Sequence, residues 1–235
     1  MTPVLKKLAD IRKSDSLAVR LRRKRFALFL SLIRPLPRPL TILDVGGTQR
    51  FWETMGFADE RDTEITLLNL EKAKVSHPNF TSIIGDGRDL RRFKDGQFDV
   101  VFSNSVIEHV GTFEEQRRMA REIVRAGKMY FVQTPNRYFP IEPHFLVPFF
   151  QFFPMGLQVF LITRFRLGWY RRLPDKREAA ALARSIRLLT EREFRALFPD
   201  ARIRKEKLLG LTKSFVAYGR QHAASRPEGR TPVGQ

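Results

Sequence analysis

The chain has 235 residues, 43 Lys and Arg against 25 Asp and Glu, a formal net charge of +18, and no cysteine. The length suits one large domain with appendages, and 43 % hydrophobic residues with 21 Phe exclude a collagen-like chain and argue against disorder over most of it. Without cysteine there is no disulfide scaffold, thiolate zinc site or cysteine nucleophile; a reducing compartment is expected, and no metal ligands are.

In chain order, residues 3–33 read as a helix, with Leu17, Leu21, Leu28 and Leu32 on one stripe and basic residues around it. Its apolar run follows the basic positions Arg20–Arg25 and has no small-residue cleavage site, so no signal peptide is expected. Pro35, Pro37 and Pro39 end the helix as a stiff linker, making residues 1–39 a basic amphipathic appendage. A strand–helix rhythm follows: ILDV (42–45), ITLLNL (65–70), TSIIGD (81–86), FDVVFSN (98–104) and MYFVQT (129–134) are strands. FEEQRRMAREIVRAG (113–127) is a helix stopped by Gly127. Such alternation predicts a doubly wound parallel sheet.

After the fifth strand, residues 137–175 form an aromatic, Pro-containing insertion. LTEREFRALFPDA (189–201) is a helix whose Thr190 and Glu193 make a capping box. ARIRKEKLL (201–209) and KSFVAYG (213–219), joined by a Gly-Leu-Thr turn, close the domain (40–220) as a hairpin, so at least one strand is antiparallel. Residues 221–235 read as a disordered tail. The charge is uneven: residues 1–34 carry +8, 164–187 carry +6 and 202–235 carry +6, while 35–163 carry −1. Basic flanks on a neutral domain point to an anionic partner, either acidic lipid or nucleic acid.

Ligands of doubly wound sheets sit at the carboxyl ends of the strands. Four consecutive strand ends here carry polar or glycine residues: Asp44-Val45-Gly46-Gly47, Asn69-Leu70-Glu71, Gly85-Asp86-Gly87 and Ser103-Asn104-Ser105, the last running into Val106-Ile107-Glu108-His109. From about Leu40 to Gly219 this pattern, with its closing hairpin, resembles the class I S-adenosylmethionine-dependent methyltransferases of the small-molecule type. The resemblance implies an α/β, Rossmann-like sheet of about seven strands and S-adenosylmethionine as cofactor. It implies that Asp44, Gly46 and Gly47 hold the amino-acid end of the cofactor and that Glu71 or Asn69 binds the ribose hydroxyls. Asp86 with Gly87 would face the adenine, and Asn104 and Ser105 the methyl end. Thr48 and Arg50 stand where the family's second and third loop glycines usually stand.

The sulfonium cofactor carries the hard chemistry, leaving the protein to place the acceptor and remove its proton. His109, beside the implied methyl site, is the first candidate base; His144 is the second, and Tyr138 and Glu142 are weaker candidates. His77, before Pro78, reads as a turn residue. Residues 145–163 carry no charge and are long enough to cross a bilayer. Strands on both sides must join one sheet, so the segment is expected instead as a lid or an interfacial element, followed directly by Arg164, Arg166, Arg171 and Arg172. The expectation is a cytoplasmic methyltransferase acting on a hydrophobic or lipid-linked small acceptor, in peripheral contact with the inner membrane face. An RNA methyltransferase and a catalytically degenerate adaptor are the alternatives.

Overall fold

The computed structural model describes residues 17–221, with side chains from residue 20 onward. The expected helix over 3–16, the side chain of Leu17 and the tail from 222 lie outside the described residues. The first described element is α1 (Leu17–Ile33). The parallel strands are β1 (Leu40–Val45), β2 (Thr63–Asn69), β3 (Phe80–Ile84), β4 (Phe98–Asn104) and β5 (Gly127–Pro135). β6 (Arg202–Leu208) and β7 (Leu211–Arg220) form the closing hairpin. The helices between them are α2 (Gln49–Thr54), α3 (Phe113–Ala126), α4 (Met155–Arg164), α5 (Lys176–Arg184) and α6 (Glu191–Leu197).

The sheet runs β3-β2-β1-β4-β5-β7-β6, with β7 antiparallel to both β5 and β6. Order reverses between β1 and β4, so the crevice for a ligand opens beyond Val45 and Asn104. Each face has its own core. Met119, Ala120 and Ile123 of α3, with Phe194 and Leu197 of α6, pack on Leu43, Val101, Val132 and Phe215. On the other face Phe26, Phe29 and Ile33 of α1 join Trp52 and Phe57 over Ile42, Leu67, Phe102 and Phe131.

Most strands lie where the alternation places them, because β-branched and aromatic runs bounded by turn residues leave little choice. The capping box at Thr190 and Glu193 forms, and a second one joins Thr112 and Glu115 at the start of α3. Three local expectations are corrected. The hairpin turn is Leu209-Gly210, not Gly210-Leu211-Thr212: both residues have positive φ (49° and 80°), as a two-residue turn matching strand twist requires. The seam of α1 is Phe26, Phe29 and Ile33 rather than the leucine stripe; Leu28 and Leu32 are only partly buried. Phe26, Phe29 and Ile33 of that helix are therefore spent on the sheet. Short α2 and α5 went unread, although Asp175 accepts from the backbone N–H groups of Arg177 and Glu178 and so announces α5.

The insertion builds a third small core from Phe145, Phe150, Ile162, Leu167, Ala179 and Ala183. Its uncharged run is broken by a left-handed Phe149 (φ 56°) and by Pro154, leaving α4 only 10 residues long. Among the described residues no helix is long and apolar enough to cross a membrane.

Phe29 is fully buried against Phe102 and Phe131, with ring centroids 5.0 and 5.3 Å away, whereas the neighbouring Leu30 is 39 % exposed. Phe29→Ala should cost about 3–5 kcal/mol in urea unfolding, and Leu30→Ala under about 1 kcal/mol. Equal costs would mean α1 does not pack by this face.

Candidate functional site

The site begins beneath the β1 loop. Asp44 is 1 % exposed at the end of β1. Its Oδ2 accepts a 2.7 Å hydrogen bond from Trp52 Nε1, while Oδ1 is buried without a partner. Burial pushes the carboxyl up to about 7, against the pull of the Trp52 bond. Gly47 lies directly on this carboxylate: a Cβ there would fall 1.6 Å from Oδ2. Gly46 has φ +78° and faces Val106, so both glycines are required by geometry. Thr48 does not need to be glycine. Its backbone is extended (φ −131°, ψ 144°), and its hydroxyl caps α2 by accepting from Phe51 N–H. Arg50 is exposed.

The other strand ends divide into braces and free groups. Asn69 Nδ2 donates to Gly47 O at 3.0 Å and so steadies the β1 loop, while Glu71 just beyond is exposed. Arg88 grips both oxygens of Asp86 (2.6–3.0 Å) and reaches Glu115 at 2.5 Å. The same hydrogen bonds hold Asp86 below the usual carboxylate range. Gly87 packs on Val45, where a Cβ would fall 2.6 Å from Cγ1. Ser105 takes a left-handed backbone (φ 58°), its N–H on Gln133 O at 3.0 Å and its hydroxyl on Gln133 Oε1 at 2.8 Å.

Arg25, a residue that sequence reasoning did not single out, reaches this edge from α1. It donates to Asn104 Oδ1, to Gln133 Oε1 at 2.8 Å, and through Nε and Nη2 to both oxygens of Glu206 at 2.9 and 2.6 Å. The only signal for it was an arginine run. Gln133 was more legible, as an amide in the largely apolar strand MYFVQT.

Past β4 the chain makes a tight helical turn, Ile107–His109. Buried Gln116 of α3 pins it by donating to Ile107 O at 3.0 Å, and Arg187 N–H donates to Glu108 O at 2.7 Å. His109 Nε2 then lies 3.1 Å from His144 Nε2, joining two residues 35 apart in sequence. His144 Nδ1 is 2.6 Å from Glu142 Oε1, and the backbone N–H groups of His144 and Phe145 donate to Glu142 Oε2. Although His109 is exposed, desolvation by the protein packed around it, ahead of the facing His144, holds its ring well below the usual imidazole range, to about 4. Burial opposes protonation of His144, but the carboxylates of Glu142 and Glu108 together outweigh it and raise that ring. Glu108 is fully buried, which pushes it up to about 7.

Beside this cluster, a cleft of about 590 Å³ opens between the start of α3 and the insertion, lined by Gly111, Phe113, Arg137, Glu142, Phe150 and Met155 among others. Tyr138 is not gathered into the cluster. It is 65 % exposed and stacks on Phe152. His77 sits apart, with its ring nitrogens on Asp59 and Glu53.

An unfolded Asp ionises near pH 4, whereas the folded Asp44 carboxyl waits until about 7. The unfolded state therefore releases its proton first, and Asp44 erodes stability as pH rises from about 4 to 7, by at most about 4 kcal/mol, with no further change above. Asp44→Asn keeps an acceptor for Trp52 and removes the charge. Urea melts should show the variant gaining on the parent across that window; a pH-independent difference would place the ionisation elsewhere.

Residues 44–129 match the family described as "Methyltransferase domain". Two uncharacterized Mycobacterium tuberculosis proteins are 41 % identical over 54 residues; the match spans 23 % of this chain and only 18 % of their length. Among solved structures, the CurJ carbon methyltransferase superposes with TM-score 0.55 at 11 % identity, covering 88 % of this chain and 56 % of that one. The N-terminal domain of EvdMO1, with SAH and D-fucose, gives 0.51 at 16 %, covering 85 % and 82 %. A Rhodobacter sphaeroides chain named as a Zn-dependent alcohol dehydrogenase gives 0.53 at 15 %, covering 81 % and 87 %, so this likeness carries the fold and not the chemistry. The strand order and the closing hairpin give the chain the α/β fold of these methyltransferases, and residues 44–129 within it match the methyltransferase domain, a family whose cofactor is S-adenosylmethionine.

Proposed function

We propose that this chain methylates a hydrophobic or lipid-linked small molecule at an anionic membrane surface. The observation that carries the reading is the two-sided insertion. One side lines the cleft at the start of α3 through Phe145 and Phe150. The other exposes Phe149, Phe152, Phe160, Phe165 and Trp169 at 41–53 %, next to exposed Arg164, Arg166, Arg171 and Arg172. Aromatic side chains flanked by arginines suit the headgroup boundary of acidic lipids.

The strand ends suit the cofactor. Gly46 and Gly47 bare the backbone at the β1 turn, and Glu71 offers an exposed carboxylate at the end of β2, where ribose hydroxyls would be bound. Asn69 serves as a brace for Gly47 rather than as the diol ligand. Asp44 supports the loop from below, so its share in holding the amino-acid end is through the Gly46-Gly47 backbone. Asp86 with Gly87 flanks the adenine end, and Asn104 and Ser105, tied to Arg25 and Gln133, flank the methyl end.

When bound, the cofactor supplies a methyl already activated by a sulfonium. The chain's own work is placement and proton removal. The insertion excludes water from the acceptor. His109 stands at the β4 exit with His144 and Glu142 aligned behind it, placed to take a proton from an acceptor hydroxyl or amine. Tyr138, stacked outward on Phe152, is assigned to the rim of the acceptor entrance.

Calorimetric titration with S-adenosylmethionine and its demethylated product tests the cofactor half. Micromolar binding is expected, weakened about tenfold or more by Glu71→Ala, a loss of about 1.4 kcal/mol or more. A folded chain that binds neither would leave the adaptor reading. With labelled cofactor and a membrane lipid extract as acceptor, His109→Ala should slow transfer by about 100-fold with cofactor affinity retained; unchanged transfer removes the base. Sedimentation with acidic-phospholipid vesicles at low salt tests the membrane half. Binding should rise with anionic content and fall in Phe160→Asp, and no binding at all would sink it.

A further inference from the structure

We propose that Glu108, His109 and His144 form a binding site for a first-row divalent metal ion of the zinc class. Their ligand atoms all lie within 4.8 Å of one another. The two Nε2 atoms are 3.1 Å apart. That is the edge spanned by two nitrogens about 2.0–2.1 Å from one ion, at an angle of roughly 100°.

Each ligand is aimed from behind. The His144 ring is held by Glu142, itself 2 % exposed and anchored by two backbone N–H groups. With Nδ1 on Glu142 Oε1, the Nε2 lone pair points at His109. A buried carboxylate behind a ligating imidazole is the usual support of such sites. Glu108 is 0 % exposed: Oε2 accepts from Thr134 Oγ1 at 3.1 Å, and Oε1 has no hydrogen-bond partner. Arg25 makes its hydrogen bonds to other residues and leaves that oxygen free. A buried carboxylate oxygen without a partner is costly, and a cation is the partner it lacks. His109 is exposed, so the site opens to solvent.

Two imidazole nitrogens and one carboxylate oxygen favour Zn²⁺, Co²⁺, Ni²⁺ or Fe²⁺ over Mg²⁺ and Ca²⁺. The sequence expectation of no metal ligands missed this set because His144 joins the other two only through the fold. The site goes beyond the methyl-transfer reading and does not depend on it. In the metal-loaded chain the ion would acidify an acceptor hydroxyl, whose proton would pass to solvent water, and His109 would serve as base only in the metal-free chain.

The test uses the full chain, freed of metal with a chelator and dialysed. Zn²⁺ is titrated calorimetrically, and Co²⁺ is followed by its visible absorption. One ion per chain is expected, with the intense, low-coordinate Co²⁺ spectrum. Affinity should fall about 100-fold in Glu108→Gln and His109→Ala, and about 10–100-fold in Glu142→Gln. His77→Ala and His222→Ala, at the chain's other histidines, should leave binding unchanged. Circular dichroism confirms that each variant folds, and His109→Ala, at an exposed ring, keeps the test open if the buried variants do not. No stoichiometric binding, or binding that follows His77 or His222, overturns the site. Cofactor titration of the same metal-free sample shows separately whether the methyltransferase reading stands.

Discussion

The hydrogen bond from Trp52 to the buried Asp44 carboxylate organises the sheet's functional edge. It fixes the end of β1 to α2 and leaves no room above the carboxylate for anything larger than Gly47. The same indole is the hub of an aromatic layer, with Phe26, Phe29, Phe57 and Phe102 within 5.9 Å between ring centroids. Aromatic edge-to-face packing of this kind adds to simple burial. It seats α1 on the sheet, and α1 in turn delivers Arg25 to the ends of β4 and β5. A carboxylate kept in an apolar layer at a cost in stability is the kind of local inconsistency that marks a functional position.

A second constraint acts on the other side of the crevice. The Ile107–His109 turn is held to α3 by Gln116 and meets the 142–144 segment by histidine contact, while Glu142 fixes that segment's own backbone. Buried polar groups rigidify a site when their partners are complete. Here every partner is supplied except one oxygen of Glu108, at the point where the two histidine nitrogens converge.

Strands and long helices were legible because their apolar periodicity is local. Phe98–Asn104 was read to the residue, and the capping box at Thr190 follows from two side chains three positions apart. The leucine stripe of α1 misled because two phenylalanines and an isoleucine offset from it fill the sheet surface better than the leucines do. Nothing in the periodicity ranks one apolar stripe above another when both are available. Thr48 looked like a lost glycine, yet its extended backbone suits any residue and its hydroxyl does useful capping work.

By itself, the sequence determined the parallel strands and the closing hairpin, because the apolar runs and turn residues that make them depend on neighbours within a few positions. The tertiary structure alone decided which of those polar residues are braces and which are free: Asn69 turns inward to Gly47, whereas Glu71 stays exposed. It alone brought Arg25 to Asn104 and His144 to His109, across 79 and 35 residues. Such pairings depend on how helix and insertion dock on the finished sheet. That docking is set by packing over whole surfaces, which no local pattern of residues records.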